Sequence, residues 1–515
     1  MKVVLIVIDA ATPHVVCPAI RTGRLPVLHR LVDAGAMHEA SASIFPSITP
    51  AATTSIITGT YPFEHGIAGA SWFDEQRQEV AYYGDDFWVI AREGFGAFIR
   101  DFLLRLNGDR LRAPTLFEMV ERSGRTAACL NYLVFRGNHP HRAHIPKVVA
   151  AVPGVPLSET IEGPSVLCLG DFAGATTQRG TLKGKSGLFH RFGMDDASSG
   201  VLLRELFAAG LPDFTVAYFA DNDYRSHEVG PYAALDVIER IDRMLGEAFA
   251  AAGGIDRVLE DTCVVITSDH GHCDIVSDAE RGAIALDRLL SDFRQAELGG
   301  AWRARDEIMI CPNMRAAQIY LRQPTAEMVE RIARQTLTDA RVDQVIWRTG
   351  LNRERHEYTV ASARGRLTFA PAGDHAAAVD AFGGGWQWQG DAEVVDLQVE
   401  GGALDFGQYP NAFERIAGVL DLDQSGEIWM TARPGHEFQV QGNKAHIGGA
   451  SHGALHALDS LSPLIMAGGP VRPHLPRALR GVDVAPLCMH LLGMTMRYAP
   501  GTPRRYNRQI SSSRS

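Results

Sequence analysis

Residues 263–271 read Cys-Val-Val-Ile-Thr-Ser-Asp-His-Gly, so a run of β-branched apolar residues leads directly into a carboxylate and an imidazole. A short apolar run of this kind predicts a buried β-strand, which we place at Cys263–Thr267. In open α/β sheets, catalytic and ligand-binding groups collect at the carboxyl ends of the strands. The segment therefore predicts an α/β fold with a functional site at Asp269 and His270.

Carboxylates and imidazoles also follow other predicted strands. Any one of them has an ordinary explanation, because a lone Asp at a strand end is usually a helix cap or a turn residue. Their recurrence at strand ends indicates a shared site, and three carboxylates with three imidazoles suit Zn²⁺, with Mn²⁺ or Fe²⁺ as alternatives. The additional residues are Asp9 after Val3–Ile8, Asp223 and His227 after Phe214–Phe219, and His452 in the Gly-rich loop before Pro463–Met466.

The rest of the chain alternates β-branched apolar runs with helical patterns. This alternation predicts a doubly wound, mostly parallel sheet with helices on both faces. Between about 355 and 450 the pattern changes to short strand-like segments around a Gly-rich turn at 383–385. We therefore expect a catalytic core formed by 1–354 and 451–515, with an inserted α+β cap at 355–450. Other elements predicted for the core are the helices Pro26–Ala34 and Ala234–Phe249 and the strands Ala127–Tyr132 and Ala317–Tyr320.

Composition and charge limit the partners and the compartment. Of 515 residues, 46% are hydrophobic and 21% are charged, as in ordinary globular proteins. The net charge of −10 argues against a nucleic-acid polymer as ligand, and no apolar run is long enough to cross a bilayer. The seven cysteines are scattered and form no CxxC motif, which favours reduced thiols. We therefore expect a cytoplasmic protein that acts on a small molecule.

The segment 45–67 is rich in hydroxyl groups, Thr49 and Thr53 among them. A hydroxyl at a helix N-terminus lies near the positive end of the helix dipole, where backbone N–H groups hold anions. A hydroxyl is a weak nucleophile at neutral pH, and a metal ion activates it by lowering its pKa. Taken alone, the segment is explained better by an ordinary Ser/Thr helix cap.

Together, these motifs occur in the order and nearly at the spacing of the alkaline phosphatase superfamily. They most resemble its type I phosphodiesterase/nucleotide pyrophosphatase branch. The family's nucleophile segment, which begins Phe-Pro-Thr and ends Thr-Gly-x-Tyr-Pro-x-x-His-Gly-Ile, is similar to Phe45–Ile67 without gaps and places the nucleophile at Thr49. Its Asp-x-x-x-His, Ser-Asp-His-Gly and final His-Gly elements resemble 223–227, 268–271 and 452–453. The resemblance covers about 1–270 and 445–495.

The resemblance implies an alkaline-phosphatase-like fold, a cofactor and a reaction. The cofactor is a pair of divalent metal ions, and two ions about 4 Å apart hold the attacking and leaving oxygens of an in-line displacement. The reaction is hydrolysis of a phosphate ester through a phosphoryl-threonine on Thr49. The implied ligands are Asp9, Thr49, Asp269 and His270 for one metal and Asp223, His227 and His452 for the other.

One position departs from the family pattern. Phosphodiesterase relatives carry an Asn three residues after the nucleophile, as a donor to a phosphoryl oxygen, and this chain has Ala52 there. Thr53 and Asn222 are candidate replacements, and Phe45 and His272 are further candidate substrate contacts. His272 stands where relatives often have an apolar residue, and packing behind the metal ligands also explains it.

Other functions on the same fold stay open. A phosphomonoesterase or a phosphonate (C–P) hydrolase uses the same metal core, and the loss of the Asn donor makes both more credible. A sulfatase needs a Cys/Ser-x-Pro-x-Arg segment, which is absent around Thr49, and a cofactor-independent phosphoglycerate mutase has a different serine motif and ligand set. A non-catalytic binding protein on this scaffold is disfavoured because the chain keeps all seven of the nucleophile and ligand residues.

Overall fold

A seven-stranded sheet forms the centre of the molecule. The computed structural model describes residues 1–84, 101–144, 158–177, 180–351, 353–372, 375–469 and 475–496. Within the sheet Leu461–Ala467 runs opposite to the other six strands, which confirms the predicted mostly parallel sheet. In their order across the sheet the strands are Gly35–Ala42, Leu461–Ala467, Thr262–Thr267, Lys2–Ile8, Phe214–Phe219, Ala127–Leu130 and Val166–Cys168.

The strand Lys2–Ile8 shows why helices cover both faces of this sheet. Val3, Leu5 and Val7 belong to one hydrophobic cluster, whereas the alternate residues of the same strand belong to another. Because successive side chains of a strand point to opposite faces, a run that is apolar throughout must be buried on both sides. The sheet is therefore doubly wound, as predicted.

Helices on the two faces come from different parts of the chain. One face packs against Pro13–Arg21, Pro26–Ala34, Asp196–Ala209, Leu235–Ala251 and Ile255–Asp261. The other packs against Thr49–Thr58, Leu116–Arg122 and Val484–Leu491. In the described part of the chain, the other α-helices are Pro62–His65, Asp221–Val229, Ala279–Gly282, Leu286–Leu289, Ala326–Thr336, Ala412–Leu420 and Ala457–Ser460. Short 3-10 or π turns lie at Asp101–Arg105, Leu188–Gly193, Thr349–Leu351, Ala392–Val395 and Gly481–Asp483.

A second, ten-stranded sheet is formed by the part of the chain between the strands Thr262–Thr267 and Leu461–Ala467 of the first sheet. Its strands, in spatial order, are Ile308–Asn313, Ala316–Leu321, Ile428–Ala432, Val342–Arg348, Tyr358–Ser362, Gly365–Pro371, Gly385–Gly390, Ala378–Val379, Ala403–Asp405 and Gln398–Glu400. The helix Ala412–Leu420 packs on one face of this sheet and Ala326–Thr336 on the other. The 383–385 turn connects Ala378–Val379 to Gly385–Gly390, and Gly383 there has a positive φ of 78°.

One predicted strand is confirmed but lies in a different sheet from the one expected. Ala317–Tyr320, assigned to the parallel sheet, is part of Ala316–Leu321, which forms an antiparallel hairpin with Ile308–Asn313 and pairs with Ile428–Ala432 in the second sheet. An apolar run specifies a buried strand but does not specify which sheet it joins. The division into a core and a cap at 355–450 stays a prediction, and the second sheet already begins at Ile308.

Short two-stranded ladders connect the loops around these sheets. They pair Ser71–Asp74 with Glu79–Tyr82, His139–His144 with Ser158–Gly163, Thr176–Thr177 with Gly180–Thr181, Cys273–Asp274 with Ala450–Ser451, and Ala283–Ala285 with Glu437–Gln439. All seven cysteines are buried and unpaired, as expected for reduced thiols. Within the described ranges, no helix combines the length and the apolar character that crossing a bilayer requires. The cytoplasmic location stays a prediction.

Candidate active site and metal centre

Three adjacent parallel strands carry acidic residues to the same edge of the central sheet. Lys2–Ile8 pairs in parallel with Thr262–Thr267 on one side and with Phe214–Phe219 on the other. Asp9 follows the first of these strands directly, and its N–H donates to the Phe219 carbonyl at 2.9 Å. Because carboxyl ends of parallel neighbours lie side by side, residues that are more than 200 positions apart in the chain meet here.

The first part of the site, called the Asp9 group, comprises Asp9, Thr49, Asp269 and His270. The Thr49 hydroxyl lies 3.0 Å from His270 Nε2. That nitrogen lies 3.5 Å from Asp9 Oδ1 and 3.5 Å from Asp269 Oδ2. The Asp269 carboxylate is held by His270 N–H, which donates to Oδ1 at 3.1 Å. The four side chains predicted to form one metal site are therefore brought together.

The second part, called the Asp223 group, comprises Asp223, His227, His272 and His452. Their ligand atoms lie within 4.8 Å of one another, and all four residues are buried. Asp223 and His227 are four residues apart on the helix Asp221–Val229, so their side chains share one face. Asp223 also lies within 4.8 Å of Asp9 and His270, measured between ligand atoms, and so connects the two groups.

A small ladder places His272 next to His452. Cys273 pairs with Ser451, so the residues just before and just after this pair lie side by side. Their rings are nearly parallel, with centroids 5.1 Å apart and an interplanar angle of 14°. The loop that carries His452 is also joined to the loop before Thr49. Ser47 forms an isolated β-bridge with Gly453, and the Ser47 hydroxyl donates to the Ala454 carbonyl at 2.8 Å.

Most of the imidazoles are oriented by the backbone. The Nδ1 atoms of His227 and His452 lie 2.8 Å and 2.9 Å from the carbonyl oxygens of Ala450 and Ser47. His270 Nδ1 lies 3.2 Å from the Gly271 carbonyl. An N–H donated from Nδ1 leaves the Nε2 lone pair facing the centre, which is the tautomer that binds a metal.

The inward-facing atoms suit divalent cations. Asp9 Oδ1, Asp269 Oδ2, His227 Nε2 and His452 Nε2 are buried without a hydrogen-bond partner. Burial, followed by the charges of Asp269 and Asp223, raises the pKa of Asp9 well above its usual range. Burial, followed by the neighbouring imidazoles, lowers the pKa of His452 well below its usual range. A set of oxygen and nitrogen donors with excess negative charge and no internal partners is the environment that Zn²⁺ or a similar ion stabilises.

The helix Thr49–Thr58 presents the predicted nucleophile at its first residue. Its buried threonine hydroxyls bond within the helix: those of Thr53, Thr54 and Thr58 donate to the carbonyls four residues earlier at 2.6, 2.6 and 2.7 Å. This pattern lets a Thr-rich helix pack fully inside the protein without unsatisfied hydroxyls. Thr49 is the exception among these threonines, because its hydroxyl points to His270 and a neighbouring cavity.

The candidate substrate contacts take other places in the structure. Phe45 is fully buried, packs edge-on against Trp429 at 5.3 Å and is not among the described residues that line the neighbouring cavity, so the structure gives no support to the prediction that it contacts substrate. The Thr53 hydroxyl donates to the Thr49 carbonyl, and the Asn222 amide donates to the Asp9 carbonyl at 2.8 Å. Neither supplies the donor that is missing at Ala52, because each supports the backbone beside the site. His272 lies among the predicted metal ligands and does not line the cavity.

A cavity of about 370 Å³ opens from the two groups. Most of the residues that line this cavity lie outside the sequence motifs described above, in loops and elements that have no recognisable motif. Tyr218 is one of them, and its hydroxyl donates to Asp9 Oδ2. The cavity is lined by Asp9, Thr49, Asp223 and His452 together with Ile48, Pro50, Ala70, Tyr83, Gly84, Phe102, Asn131, Leu133, Phe172, Arg191, Phe192, Met194, Tyr218, Ala220, Tyr224 and Met314.

The order and geometry of these residues agree with a sequence-family comparison. The family described as Type I phosphodiesterase / nucleotide pyrophosphatase matches residues 3–454. The chain belongs to this family. Membership of the type I phosphodiesterase family indicates a phosphoric ester hydrolase, and it confirms the relationship that the motifs suggested.

Solved structures show the same fold at low sequence identity. Murine ectonucleotide pyrophosphatase / phosphodiesterase 5 has a TM-score of 0.57 and 14% identity, covering 97% of each chain. Phosphonoacetate hydrolase from Sinorhizobium meliloti, in complex with phosphonoformate, has a TM-score of 0.54 and 18% identity, covering 96% of each chain. The alkaline-phosphatase-like fold implied by the motifs is thereby confirmed for this member of the type I phosphodiesterase family.

A curated protein shares a shorter similarity with this chain. The 2,3-bisphosphoglycerate-independent phosphoglycerate mutase of Wolinella succinogenes is 33% identical over 85 residues. These residues are 16% of this chain and 15% of the mutase, so the chain spans only a small part of that relative's length.

Proposed function

We propose that the protein is a metal-dependent phosphodiesterase that transfers the phosphoryl group first to Thr49 and then to water. The observation that carries the proposal is the position of the Thr49 hydroxyl. It lies 3.0 Å from His270 Nε2, at the first residue of a helix and on the wall of the cavity. The helix dipole favours an anionic group at that end. A related structure lends support, since an inactive Thr-to-Ala variant of the murine phosphodiesterase was solved with AMP.

Each side chain has a role in this scheme. Two divalent cations, held by the Asp9 group and by the predicted ligands Asp223, His227 and His452, would lower the pKa of the Thr49 hydroxyl and neutralise charge on the phosphoryl oxygens. Thr49 Oγ1 forms the new bond to phosphorus while the bond to the leaving alcohol breaks, and that alcohol leaves with the proton that Thr49 loses. The phosphorylated Thr49 still carries the second ester group of the diester. Water then cleaves the bond between phosphorus and Thr49 Oγ1, which releases a phosphate monoester and restores the hydroxyl. Tyr218 holds Asp9 in place through its hydrogen bond to Oδ2.

The cavity favours a diester with an apolar leaving group. Phe102, Leu133, Phe172 and Met194 contribute apolar surface to its walls. Arg191 is the one cationic side chain among the described lining residues, and it is already paired with Asp221 and stacked on Tyr224 at 4.1 Å. A second anionic group on the substrate would therefore find no free cation in the described wall, which disfavours a carboxylated phosphonate.

The test compares three substrates on metal-loaded protein: bis-p-nitrophenyl phosphate, p-nitrophenyl phosphate and a phosphonate monoester. We expect the diester to have the highest kcat/KM. Thr49→Ala should lower kcat by at least about 10³-fold, because removal of a nucleophile leaves only electrostatic and binding contributions. Thr49→Ser should retain part of the activity and accumulate a phosphorylated residue detectable by mass spectrometry after acid quench.

Thr54→Ala is the matched control. It removes a buried hydroxyl from the same helix, one that donates to the Pro50 carbonyl at 2.6 Å and faces away from the cavity. We expect its kcat/KM to stay within a few-fold of the wild type. A Thr49→Ala protein that binds metal and keeps wild-type activity would refute the nucleophile assignment. Fastest turnover of the monoester or the phosphonate would assign one of the alternative activities.

A further inference from the structure

His272 differs from the other imidazoles of the site in how its ring is held. It is fully buried, and its Nε2 lies 2.9 Å from Asp223 Oδ1. Its backbone N–H donates to the Thr12 hydroxyl at 3.1 Å, and Cys273 pairs with Ser451 in the adjoining ladder. The position of the ring is therefore fixed by the backbone on both sides.

His272 differs from the predicted metal-ligand histidines in the hydrogen bonding of its Nδ1 atom. The Nδ1 atoms of His227, His270 and His452 each face a backbone carbonyl, whereas Nδ1 of His272 is buried without a hydrogen-bond partner. A ligand histidine normally donates its second N–H to an acceptor. A proton on Nδ1 of His272 would have no acceptor, so the proton belongs on Nε2, where Asp223 Oδ1 accepts it.

We propose that His272 is a positioning residue whose Nε2–H fixes the Asp223 carboxylate, so that Oδ2 is the oxygen presented to a metal ion. Oδ2 is the carboxylate oxygen that lies 3.5 Å from His227 Nε2, and Oδ1 lies 3.7 Å from His452 Nε2. With Oδ1 engaged by His272, the carboxylate is held as a one-oxygen ligand. His272→Leu would remove this donor to Oδ1.

The inference rests on the proposed metal binding by Asp223, His227 and His452. It makes His272 part of the support of a ligand and not a ligand itself. Loss of such support typically weakens metal affinity by about 10–100-fold.

The experiment measures metal affinity directly, without substrate. Zn²⁺ is titrated against a chromogenic chelator for the wild type, His272→Leu and His272→Gln, and the Co²⁺ absorption spectrum of each protein is recorded. We expect His272→Leu to weaken one of two Zn²⁺ sites by about 10–100-fold. His272→Gln, whose amide can donate to Asp223, should restore most of that affinity and keep the wild-type Co²⁺ spectrum.

Cys273→Ser is the control for general loosening, since it alters the next buried residue and leaves the imidazole in place. It should bind Zn²⁺ as the wild type does. The proposal is overturned if His272→Leu keeps wild-type affinity. It is also overturned if His272→Gln loses as much affinity as His272→Leu and its Co²⁺ spectrum changes, because His272 would then be a direct ligand. A protein that binds two Zn²⁺ ions but cleaves no ester would refute the proposed function and leave this comparison intact.

Discussion

His65 lies fully buried between the helix Thr49–Thr58 and the turn that follows it. The Ile67 N–H donates to its Nδ1 at 3.1 Å, so the ring proton is on Nε2, which lies 3.0 Å from the Ser55 hydroxyl oxygen. The bond from Ile67 requires a neutral imidazole, because a protonated Nδ1 cannot accept, and burial lowers the pKa of His65 to about 3. The Tyr-Pro-x-x-His-Gly motif thus contains a structural histidine that joins the helix Thr49–Thr58 to its connecting turn.

This arrangement predicts that His65 makes the stability of the folded protein depend on pH. Below the unfolded-state pKa of 6.5, the unfolded chain binds a proton that the folded chain excludes, so stability is lost as pH falls toward 3. From pH 7 to pH 5 the loss from His65 is about 2 kcal/mol. We expect His65→Gln to be less stable than the wild type at pH 7 but to lack this pH-dependent loss of stability.

The free energy of unfolding of both metal-free proteins can be measured by urea denaturation at pH 7 and pH 5. The difference between wild type and His65→Gln should shrink by about 2 kcal/mol at the lower pH. A difference that does not change with pH would mean that the ring titrates alike in both states.

Among the elements, the loop at 448–453 and the helix Asp221–Val229 approach each other backbone to backbone. A Cβ added to Gly449 would lie 2.0 Å from the His227 carbonyl oxygen and 2.6 Å from its carbonyl carbon. The Ile275 N–H donates to the Gly449 carbonyl at 2.8 Å, so the loop is also held from its other side. The glycine is required for close approach, which sets the distance between His227 and His452.

We therefore predict that Gly449→Ala separates two predicted ligands. Forced overpacking typically costs about 1–3 kcal/mol, and the Zn²⁺ affinity of one site should fall with it. Thermal unfolding and chelator competition measure the two effects. Gly174→Ala is the matched control, because no atom lies within 4 Å of a Cβ added there. Unchanged Zn²⁺ affinity in Gly449→Ala would show that this contact does not set the ligand geometry.

At the scale of the whole molecule, buried arginines join the second sheet to the central one. Arg480 Nη1 donates to both Glu414 oxygens at 2.9 Å, and its Nη2 donates to Asp483 Oδ1 at 2.8 Å. Glu414 is on the helix that packs on the second sheet, whereas Asp483 is in the turn that packs against the helix Thr49–Thr58. Arg415 adds a second link, from the same helix to the Ile44 carbonyl at 3.1 Å.

Removing Arg480 from this buried cluster takes the counter-charge away from two buried carboxylates. Arg480→Leu should therefore lower the free energy of unfolding by about 3–5 kcal/mol, measured by urea denaturation. Arg240→Ala, which breaks an exposed pair with Asp236, is the control and should change stability by no more than about 0.5 kcal/mol. Comparable small effects in both variants would contradict a role for Arg480 in joining the two sheets.

The amino-acid sequence by itself determined the parts of this protein that depend on local pattern. Apolar runs specified the strands Phe214–Phe219 and Lys2–Ile8 to within a residue, and helical spacing specified Pro26–Ala34. The residues named for the site came from motifs that each occupy a few positions, and the structure brings Thr49 and the six predicted metal-ligand side chains together. Such features are local because burial and backbone geometry act on neighbouring residues.

Tertiary structure alone decided the features that depend on distant residues. The pattern of Ala317–Tyr320 predicts a strand equally well in either sheet, and only pairing with Ile428–Ala432 places it in the second. Phe45 lies four residues from the nucleophile but packs into the second sheet's core, and His272 acquires its partner Asp223 from 49 positions away. The walls of the cavity come from loops throughout the chain. Side-chain direction and long-range contacts are set by how the elements pack, which short sequence patterns do not record.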